Sequence, residues 1–431
     1  MAISLVILLG IVLRLTSLNQ SLWLDEATTA LVSQMSVVDF FSRFMPADFH
    51  PPLYYLVMHF WVSLFGVGEI SLRIPSIIFG LLTIYYVFLI AKNTKLKWPL
   101  VPALFLATSG LHVYYSQEAR MYAMATFLVT LAVYLYLNKR WKLFAATLPM
   151  LFLTDYLSLI ILPVLFAYTY FKDYKNIKSI LYASIPLVVV FIGWLPYLSK
   201  QLVAGIAIKS SSSGWWSILG PVTFKNIALI PTKFMIGRVN IDNKLIYLIA
   251  IIVMSVIFIY VIGKARNKLI WSWFGLSLIL GILISFFIPT LTYFRYLFIL
   301  PAFYLLLSES KSKVFVAIIL IINLIASSRY LFNSKFHRED WRGAANLIGS
   351  EKIVFPVNSQ KEALTYYKKD GQIIIKEDIA SDDNTIWLSR YVWNIFDPSD
   401  STRRYIEDLG YNKVSEANLN GVVLFKYENS D

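Results

Sequence analysis

The residues of this chain best suited to chemistry are three carboxylates that follow apolar stretches. Asp25 and Glu26 come directly after the apolar run 2–18, and Glu118 follows a second apolar run. Carboxylates beside hydrocarbon are costly and usually functional. Because adjacent helical residues point about 100° apart, we interpret Asp25 as a general base and Glu26 as a helper or structural acceptor. The alternative is structural charge, namely an acid pair at a helix start and an ion pair of Glu118 with Arg120 or Arg73.

Three arginines are candidates for binding a phosphate, because Arg73, Arg120 and Arg295 all fall at predicted outer ends of apolar helices. A guanidinium group binds phosphate through two parallel hydrogen bonds. The alternative for each arginine is that its side chain extends to lipid headgroups.

His50 precedes the rigid pair Pro51–Pro52 and could bind a substrate hydroxyl or a metal. The other three histidines show no metal-ligand spacing with it, so no metal site is predicted and no cofactor is expected; a divalent cation is conceivable but has no support. The chain has no Cys, which excludes disulfides, thiolate metal sites and cysteine nucleophiles.

Composition predicts a membrane protein. Hydrophobic residues make up 58% of the 431 positions and charged residues 15%, far from the averages of soluble domains. The net charge of +13 is unevenly distributed, because residues 335–431 hold 13 basic and 16 acidic side chains and the rest hold 26 and 10. Most of that basic excess lies in short loops, which is typical of membrane orientation and lipid contact. Nucleic acid is therefore not an expected partner.

The basic loops also predict the topology. If all of them are cytoplasmic, the segments between them cross the membrane an even number of times, giving about eleven spans with a cytoplasmic amino terminus. The loops around Asp25, Glu118, 198–240 and 289–295 and the tail are then extracytoplasmic. Residues 51–65 are predicted to lie at the membrane surface, and residues 37–44 to form an amphipathic interfacial helix. The basic loops are 92–97, 138–142, 171–178, 263–268 and 308–313.

Two domains are predicted: a transmembrane module, residues 1–330, and a small extracytoplasmic α/β domain, residues 331–431. The pattern of the second domain predicts helices over 341–348, 359–368 and 399–409, the middle one with Ser359 as its N-cap. It predicts strands over 352–357, 372–376, 385–389 and 422–427. The fold class is therefore mainly α, a polytopic helix bundle with a small α/β domain at its carboxyl end.

Four motifs occur in an order that resembles glycosyltransferase family 39. This is the GT-C group that includes protein O-mannosyltransferases and lipid A aminoarabinose transferases. The resemblance covers essentially the whole chain, with Arg295–Tyr296 before an apolar helix and Asp340–Arg342 opening the outer domain. One departure is Asp155, where many relatives have His. The four motifs are Trp23–Glu26, His50–Tyr55, Leu72–Ser76 and Tyr115–Tyr122.

The resemblance implies a multi-pass cell-membrane glycosyltransferase that inverts the anomeric centre and uses a polyprenyl-phosphate-linked hexose or pentose. Carried over, Asp25 resembles the base that deprotonates the acceptor hydroxyl, assisted by Glu26, and Glu118 the second acid. Arg120 and Arg295 resemble the residues that bind the donor phosphate, and Arg73 is a third candidate from its position at a helix end. The substrate-binding positions are His50, Tyr54 and Tyr296. The acceptor is left open between a lipid, a glycan and a protein.

Two other function classes fit parts of the pattern. A transporter or flippase of lipid-linked saccharides would also place polar groups near lipid, but it favours charges at mid-bilayer and helices broken by Gly/Pro pairs. The charges here cluster at one face, which favours an enzyme. A polysaccharide polymerase or ligase with a diphosphate-linked donor is the second alternative.

Overall fold

The computed structural model describes residues 1–211, 219–238, 243–310, 312–368, 372–379 and 383–429. The chain is helical as far as Phe332, with short 3₁₀ or π turns between several helices. The α-helices of this part are Ala2–Leu15, Leu24–Ser33, Val37–Asp39, Leu53–Phe65, Glu69–Asn93, Leu100–Thr108, Gly110–Ser116, Tyr122–Leu137, Trp141–Phe152, Ile161–Lys172, Ile177–Ala183, Ile185–Ser211, Phe224–Ile236, Lys244–Ile262, Lys268–Trp271, Ser277–Ser285, Leu300–Leu307 and Lys313–Phe332.

Within the described ranges, five continuous helical stretches are long and apolar enough to cross a membrane. These are Glu69–Asn93, Tyr174–Ile206, Lys244–Ile262, Lys268–Ser285 and Lys313–Phe332. Shorter apolar helices lie between them, and many of their large apolar side chains point outward, as they do in a helix bundle that faces lipid.

One predicted span is broken at Ser109, and the break is stabilised from outside the helix. Ser109 has extended backbone between Leu100–Thr108 and Gly110–Ser116. A helix end leaves four carbonyls without partners, and here each of residues 105–108 finds one. Arg14, fully buried in the first helix, donates to the carbonyls of residues 106 and 107, at 3.4 and 3.1 Å. Asn323 and Ser327 donate to the carbonyls of residues 105 and 108, at 3.0 and 2.6 Å.

The helices of residues 24–65 form a platform around Asp25. Helix Leu24–Ser33 begins directly after Trp23 and packs against Leu53–Phe65. Between them, the amphipathic segment is a short α-helix, Val37–Asp39, followed by a π turn, with Phe40 4% exposed and Val37 47% exposed. Its apolar side therefore faces the platform.

The carboxyl-terminal domain is a five-stranded sheet with helices on both faces. The strands, in chain order, are β1 (Lys352–Val354), β2 (Ile373–Ile374), β3 (Thr385–Ser389), β4 (Tyr411–Leu419) and β5 (Val422–Asn429). Their spatial order is β2-β1-β3-β5-β4, with β1 parallel to β2 and β3, and β5 antiparallel to β3 and β4. The helices are Trp341–Ile348, Glu362–Tyr367, Trp393–Phe396 and Ser401–Asp408.

The two faces of this sheet pack differently. One face forms a small core of its own, in which Ile406 of the last helix packs on β3 residues Ile386 and Leu388. The other face carries Trp341 and Leu364, which belong to one apolar cluster with the membrane module. The domain is therefore packed against the helix bundle instead of being tethered beside it.

The fold class predicted from sequence is confirmed, with three local corrections. Ser359 is not an N-cap: it lies in a 3₁₀ turn, and helix Glu362–Tyr367 begins after Lys361 without a side-chain cap. The first two strands are shorter in the structure than predicted, and they end at Val354 and Ile374. Strand β4 was not predicted, because residues 412–416 of this edge strand are all exposed and show no alternation.

Candidate active site

Asp25 lies in the first turn of helix Leu24–Ser33 with its side chain 36% exposed. One of its carboxylate oxygens is 3.5 Å from Nη2 of Arg120, whose side chain is only 4% exposed. Nη1 of Arg120 donates to the Tyr55 hydroxyl at 3.2 Å. Asp25 is thus an accessible carboxylate whose position is fixed by a buried cation.

His50 joins the same network through a carboxylate that the sequence analysis did not single out. Nη2 of Arg120 is 3.2 Å from Nε2 of His50, and Nδ1 of His50 is 3.2 Å from Oδ1 of Asp48. Because Arg120 can only donate, the imidazole accepts at Nε2 and donates from Nδ1. Burial raises the pKa of Asp48, but His50 and Arg120 outweigh it and hold that pKa below its usual value.

Glu26 has a different environment, since its side chain is fully buried among cations. Nε and Nη2 of Arg73 donate to its two oxygens at 2.9 and 2.7 Å, and Nε of Arg338 lies at 3.1 Å. Burial raises the pKa of Glu26, but Arg338 and Arg73 lower it by more, so this carboxylate is ionised. The Ala119 amide also donates to it at 2.9 Å. Glu26 therefore connects the Asp25 helix to the Glu118 loop.

Arg73 has no N–H left for a phosphate in this structure. Its two donations to Glu26 are joined by donations to the carbonyls of residues 18, 20 and 21, at 2.6, 2.7 and 3.1 Å. A guanidinium group has five N–H donors, and all five are used. Among the residues predicted to bind donor phosphate, Arg73 thus occupies a structural position.

Glu118 is 99% buried, and neither carboxylate oxygen has a hydrogen-bond partner within the described part of the chain. The nearest cation is Nη2 of Arg338 at 3.6 Å, so the ion pair with Arg120 or Arg73, which was the structural alternative for Glu118, is not formed. Burial raises the pKa of Glu118 to about 7; Arg338 opposes this effect, while Glu26 and Asp25 add to it. Glu118 can therefore gain or lose a proton near neutral pH.

Tyr54 and Tyr296 are both buried. The Tyr54 hydroxyl is 3.0 Å from Oγ of Ser76, and that Oγ donates to the Arg120 carbonyl at 3.4 Å. Tyr54 is therefore linked to the backbone of Arg120 through Ser76. Tyr296 is 0% exposed and lies against Gly281 of helix Ser277–Ser285. Neither side chain reaches open space beside Asp25.

Arg295 lies at the edge of the site. Its Nη1 donates to the carbonyls of Pro289 and Leu219, at 3.1 and 3.4 Å. The adjacent Phe294 ring lies 5.6 Å from the Tyr122 ring, at the start of the helix that follows Arg120. The structure therefore brings Asp25, Glu26, Glu118, Arg120 and His50 together, and places Arg295 next to them.

Comparison with known proteins shows what the chain as a whole is similar to. The family model of the dolichyl-phosphate-mannose-protein mannosyltransferases matches residues 49–199, about a third of the chain. The crystal structure of ArnT from Cupriavidus metallidurans bound to undecaprenyl phosphate superposes with a TM-score of 0.58 at 12% identity, covering 98% of this chain and 97% of that one. The chain has the GT-C fold.

Two further solved structures are similar to this GT-C protein. Apo ArnT from Cupriavidus metallidurans has a TM-score of 0.47 at 13% identity and covers 98% of this chain and 97% of that one. The S. cerevisiae Pmt1–Pmt2 complex bound to the sugar donor has a TM-score of 0.36 at 17% identity, over 47% and 34% of the two chains. No curated protein sequence matches significantly.

The resemblance to the GT-C group seen in the sequence motifs is thus confirmed, and the chain is an integral membrane protein with a glycosyltransferase fold. In the ranges that the structure describes, no group of three or more His, Asp or Glu side chains is arranged to hold a metal ion.

Arg238 is a further site residue of this GT-C protein, and sequence reasoning missed it. It follows helix Phe224–Ile236, which lies in a segment taken for an outer loop. Arg238 is exposed as a residue, and its guanidinium group lies 4.4 Å above the Tyr114 ring and donates to the Tyr114 hydroxyl. Arg338 lies over the same ring at 4.5 Å. Two cations therefore share one aromatic side chain near Glu118.

Proposed function

We propose that this protein is an inverting glycosyltransferase that moves a hexose or pentose from a polyprenyl-phosphate-linked donor to an acceptor hydroxyl. The observation that carries the proposal is the accessible Asp25 carboxylate, fixed by Arg120 on a GT-C fold. A general base must be reachable by the proton that it removes, and Asp25 is the more exposed member of the pair that it forms with Glu26.

In the proposed step, Asp25 takes the proton of the acceptor hydroxyl while that oxygen forms a bond to the anomeric carbon of the sugar. The bond from that carbon to the phosphate oxygen breaks, and polyprenyl phosphate leaves with one additional negative charge. A single displacement of this kind inverts the anomeric centre. The proton ends on Asp25, so charge and atoms balance.

The leaving phosphate is stabilised by the arginines that still have donors available. Arg120 lies beside Asp25, Arg238 lies above the Tyr114 ring, and Arg295 is adjacent to Phe294, whose ring contacts Tyr122. Fixed cations aimed at a developing charge are an effective source of catalysis, so the proposed step requires no metal. His50 beside Arg120 adds a group that can bind a phosphate or sugar oxygen.

The donor class is supported by the family description and by the ligand of the ArnT structure, undecaprenyl phosphate. A lipid-linked donor needs a site where the membrane surface meets water. Asp25 meets this need, because it follows the apolar first helix and precedes the surface platform. The distribution of basic loops supports an extracytoplasmic position, at the cell membrane, for this face and for the carboxyl-terminal domain.

The test is a transfer assay in proteoliposomes with a panel of labelled polyprenyl-phosphate sugars and EDTA in the buffer. Loss of general-base catalysis costs about 10²- to 10⁴-fold in rate, so Asp25→Asn should fold normally and lose at least 10²-fold. Asp39→Asn is the matched control, because Asp39 is a 43% exposed acid of the same loop.

Three outcomes would contradict the proposal. Wild-type turnover by Asp25→Asn would refute the base assignment. Failure of wild type to consume any donor on the panel would refute the function. Turnover that EDTA abolishes and a divalent cation restores would refute the metal-free step.

A further inference from the structure

The segment that carries His50 into the site, residues 45–50, is tied to a distant helix by one buried amide. Gln201 lies in helix Ile185–Ser211 and is 3% exposed. Its Nε2 donates to the carbonyl of Met45 at 3.2 Å and to the carbonyl of His50 at 3.4 Å. The side chain of Gln201 therefore bridges the two ends of the segment.

The direction of each hydrogen bond around this amide is fixed by chemistry. Nε1 of Trp194 donates to the Tyr156 hydroxyl at 2.6 Å, because an indole nitrogen can only donate. The Tyr156 hydroxyl donates its own proton to Oε1 of Gln201, at 2.8 Å. Since carbonyls can only accept, the amide nitrogen of Gln201 faces residues 45 and 50. Both polar atoms of the Gln201 side chain have partners, so the amide has one orientation.

The helix that carries these groups is otherwise largely uncovered by protein. Of the most apolar 18 residues in the stretch Tyr174–Ile206, only 22% are buried. Trp194 and Gln201 are among the buried residues of this stretch, at 8% and 3% exposed. The Trp194 ring is stacked on the Tyr197 ring at 4.6 Å, and the Tyr197 ring lies 5.9 Å from the Phe41 ring of the platform. The side of the helix that holds the polar groups therefore faces the platform.

The position of His50 matters because its imidazole lies beside the cation that fixes Asp25. Nε2 of His50 is 3.2 Å from Nη2 of Arg120, and the same Nη2 is 3.5 Å from a carboxylate oxygen of Asp25. The pair Pro51–Pro52 follows His50, and a proline restricts the backbone of the residue before it. A shift of the His50 carbonyl therefore moves its imidazole as well.

We propose that Gln201 is a positioning residue for the transfer reaction and that it acts through His50. This proposal rests on the proposed function and adds a residue on which that function depends. Without the Gln201 amide, residues 45–50 lose the two hydrogen bonds that hold their ends together, and the imidazole no longer meets Arg120 in one place. A purely structural attachment of helix Ile185–Ser211 would lower stability whether or not His50 were present.

A double-mutant cycle tests this route in the transfer assay described above, with the donor that wild type consumes fastest. Gln201→Met keeps the length of the side chain but removes its hydrogen bonds, and it should lower kcat/KM for that donor about 5- to 50-fold. In a His50→Ala background the same change should cost less than about 2-fold, because residues that act through one another are not additive. Ser199→Ala is the matched control and should behave as wild type, since Ser199 is exposed on the same helix and donates to the nearby Pro196 carbonyl.

A second variant loosens the amide without removing it. Tyr156→Phe deletes the hydroxyl that donates to Oε1 of Gln201, so the amide is free to rotate away from residues 45 and 50. We expect kcat/KM to fall in the same direction as in Gln201→Met, by about 2- to 10-fold. If Gln201→Met fails to fold, Tyr156→Phe takes its place in the cycle with His50→Ala.

A spectroscopic measurement is independent of turnover. Because the chain has no Cys, a nitroxide attached to Ala47→Cys, an exposed position, reports on residues 45–50 alone. In proteoliposomes without donor, its EPR lines should be sharper in Gln201→Met and Tyr156→Phe than in wild type, as expected for a more mobile segment. Ser199→Ala should leave the spectrum unchanged.

Two results would overturn the proposal. One is an EPR spectrum of the labelled segment that does not change in Gln201→Met. The other is a loss of kcat/KM in the His50→Ala background as large as the loss in wild type, which would show that Gln201 acts by another route. Failure of the proposed function would look different, because wild type would then consume no donor while the spectra still distinguished the variants.

Discussion

At the scale of single residues, the two neighbouring acids show how environment divides roles between similar side chains. Asp25 is 36% exposed with one cation at 3.5 Å, whereas Glu26 is fully buried with two arginines on its oxygens. An accessible carboxylate can exchange a proton with the substrate. A buried, ion-paired carboxylate can do so only at a large free-energy cost. This contrast is why we assign the base to Asp25 and an anchoring role to Glu26.

The same contrast predicts that substitution of one arginine lowers stability and that substitution of another lowers kcat. Arg73→Met leaves Glu26 partly uncompensated in the interior, and breaking a buried pair costs about 3–5 kcal/mol. We expect a lower Tm in detergent and a poor yield. Arg120→Met should fold, because Asp25 is open to solvent, but should lose at least 10-fold in kcat.

A double variant checks this distinction. Adding Glu26→Gln to Arg73→Met removes the uncompensated charge, so Tm should recover in part. Equal losses of stability in the Arg73 and Arg120 single variants would contradict the distinction between the two arginines.

Glu118 predicts a pH-dependent stability. Its pKa is raised from 4.5 to about 7 by burial. Between these values the folded protein holds a proton that the unfolded chain releases, so the free energy of unfolding contributed by Glu118 falls as pH rises. The loss is at most about 3 kcal/mol.

Thermal unfolding in detergent between pH 4.5 and pH 8 measures this loss. Glu118→Gln cannot titrate and should have a smaller fall in Tm across the range than wild type. Parallel curves for the two proteins would show that Glu118 has an ordinary pKa.

At the scale of elements, the Glu118 loop is held by the close packing of the helix before it. Helix Gly110–Ser116 lies against Glu69–Asn93, where Gly80 faces Ser116 so closely that a Cβ would overlap its Oγ. We expect Gly80→Ala to displace Ser116 and the loop that follows, with a loss in Tm and in kcat. Adding Ser116→Ala should restore part of both, and a Gly80→Ala protein with unchanged kcat would contradict the coupling.

Most of these elements could be predicted from sequence, since long apolar runs and loop charge reveal helices without knowledge of their neighbours. The carboxylates could also be placed at one face, because each follows an apolar run. The break at Ser109 could not be predicted. The groups that donate to the free carbonyls at this helix end come from Arg14 and from helix Lys313–Phe332, which are far away in sequence.

The missed site residues share the same cause. Arg338 lies at the start of the carboxyl-terminal domain, and only the fold brings its guanidinium to Glu26 and Glu118. Arg238 follows helix Phe224–Ile236, which lies within the segment 198–240 that the sequence analysis assigns to a loop. Asp48 alone had a local signal, since it lies two residues before His50.

At the scale of the whole molecule, the carboxyl-terminal domain helps to hold the site in place. Arg338 inserts into the membrane module with 1% of its side chain exposed and donates to the carbonyl of residue 117 at 3.0 Å. Arg342 donates to Glu69 at 3.0 Å, and its amide donates to Ser21 at 3.0 Å. The contacts to residues 117 and 21 reach segments that flank Glu118 and Asp25, so movement of the domain and the geometry of the site are coupled.

Tyr367 offers the clearest test of this coupling. Its hydroxyl accepts from the Leu22 amide, just before the Asp25 helix, and donates to Glu69. Tyr367→Phe removes these two bonds and a third, accepted from Oγ of Ser21 at 3.2 Å, without changing the ring. It leaves the amide unsatisfied, which costs about 1–3 kcal/mol where such a group is buried. We expect kcat to fall 3- to 30-fold with little change in donor KM, and proteolysis within 333–340 to accelerate. Tyr405→Phe, which alters an exposed tyrosine of the same domain, should change neither; equal effects of the two variants would mean that the domain does not position Asp25.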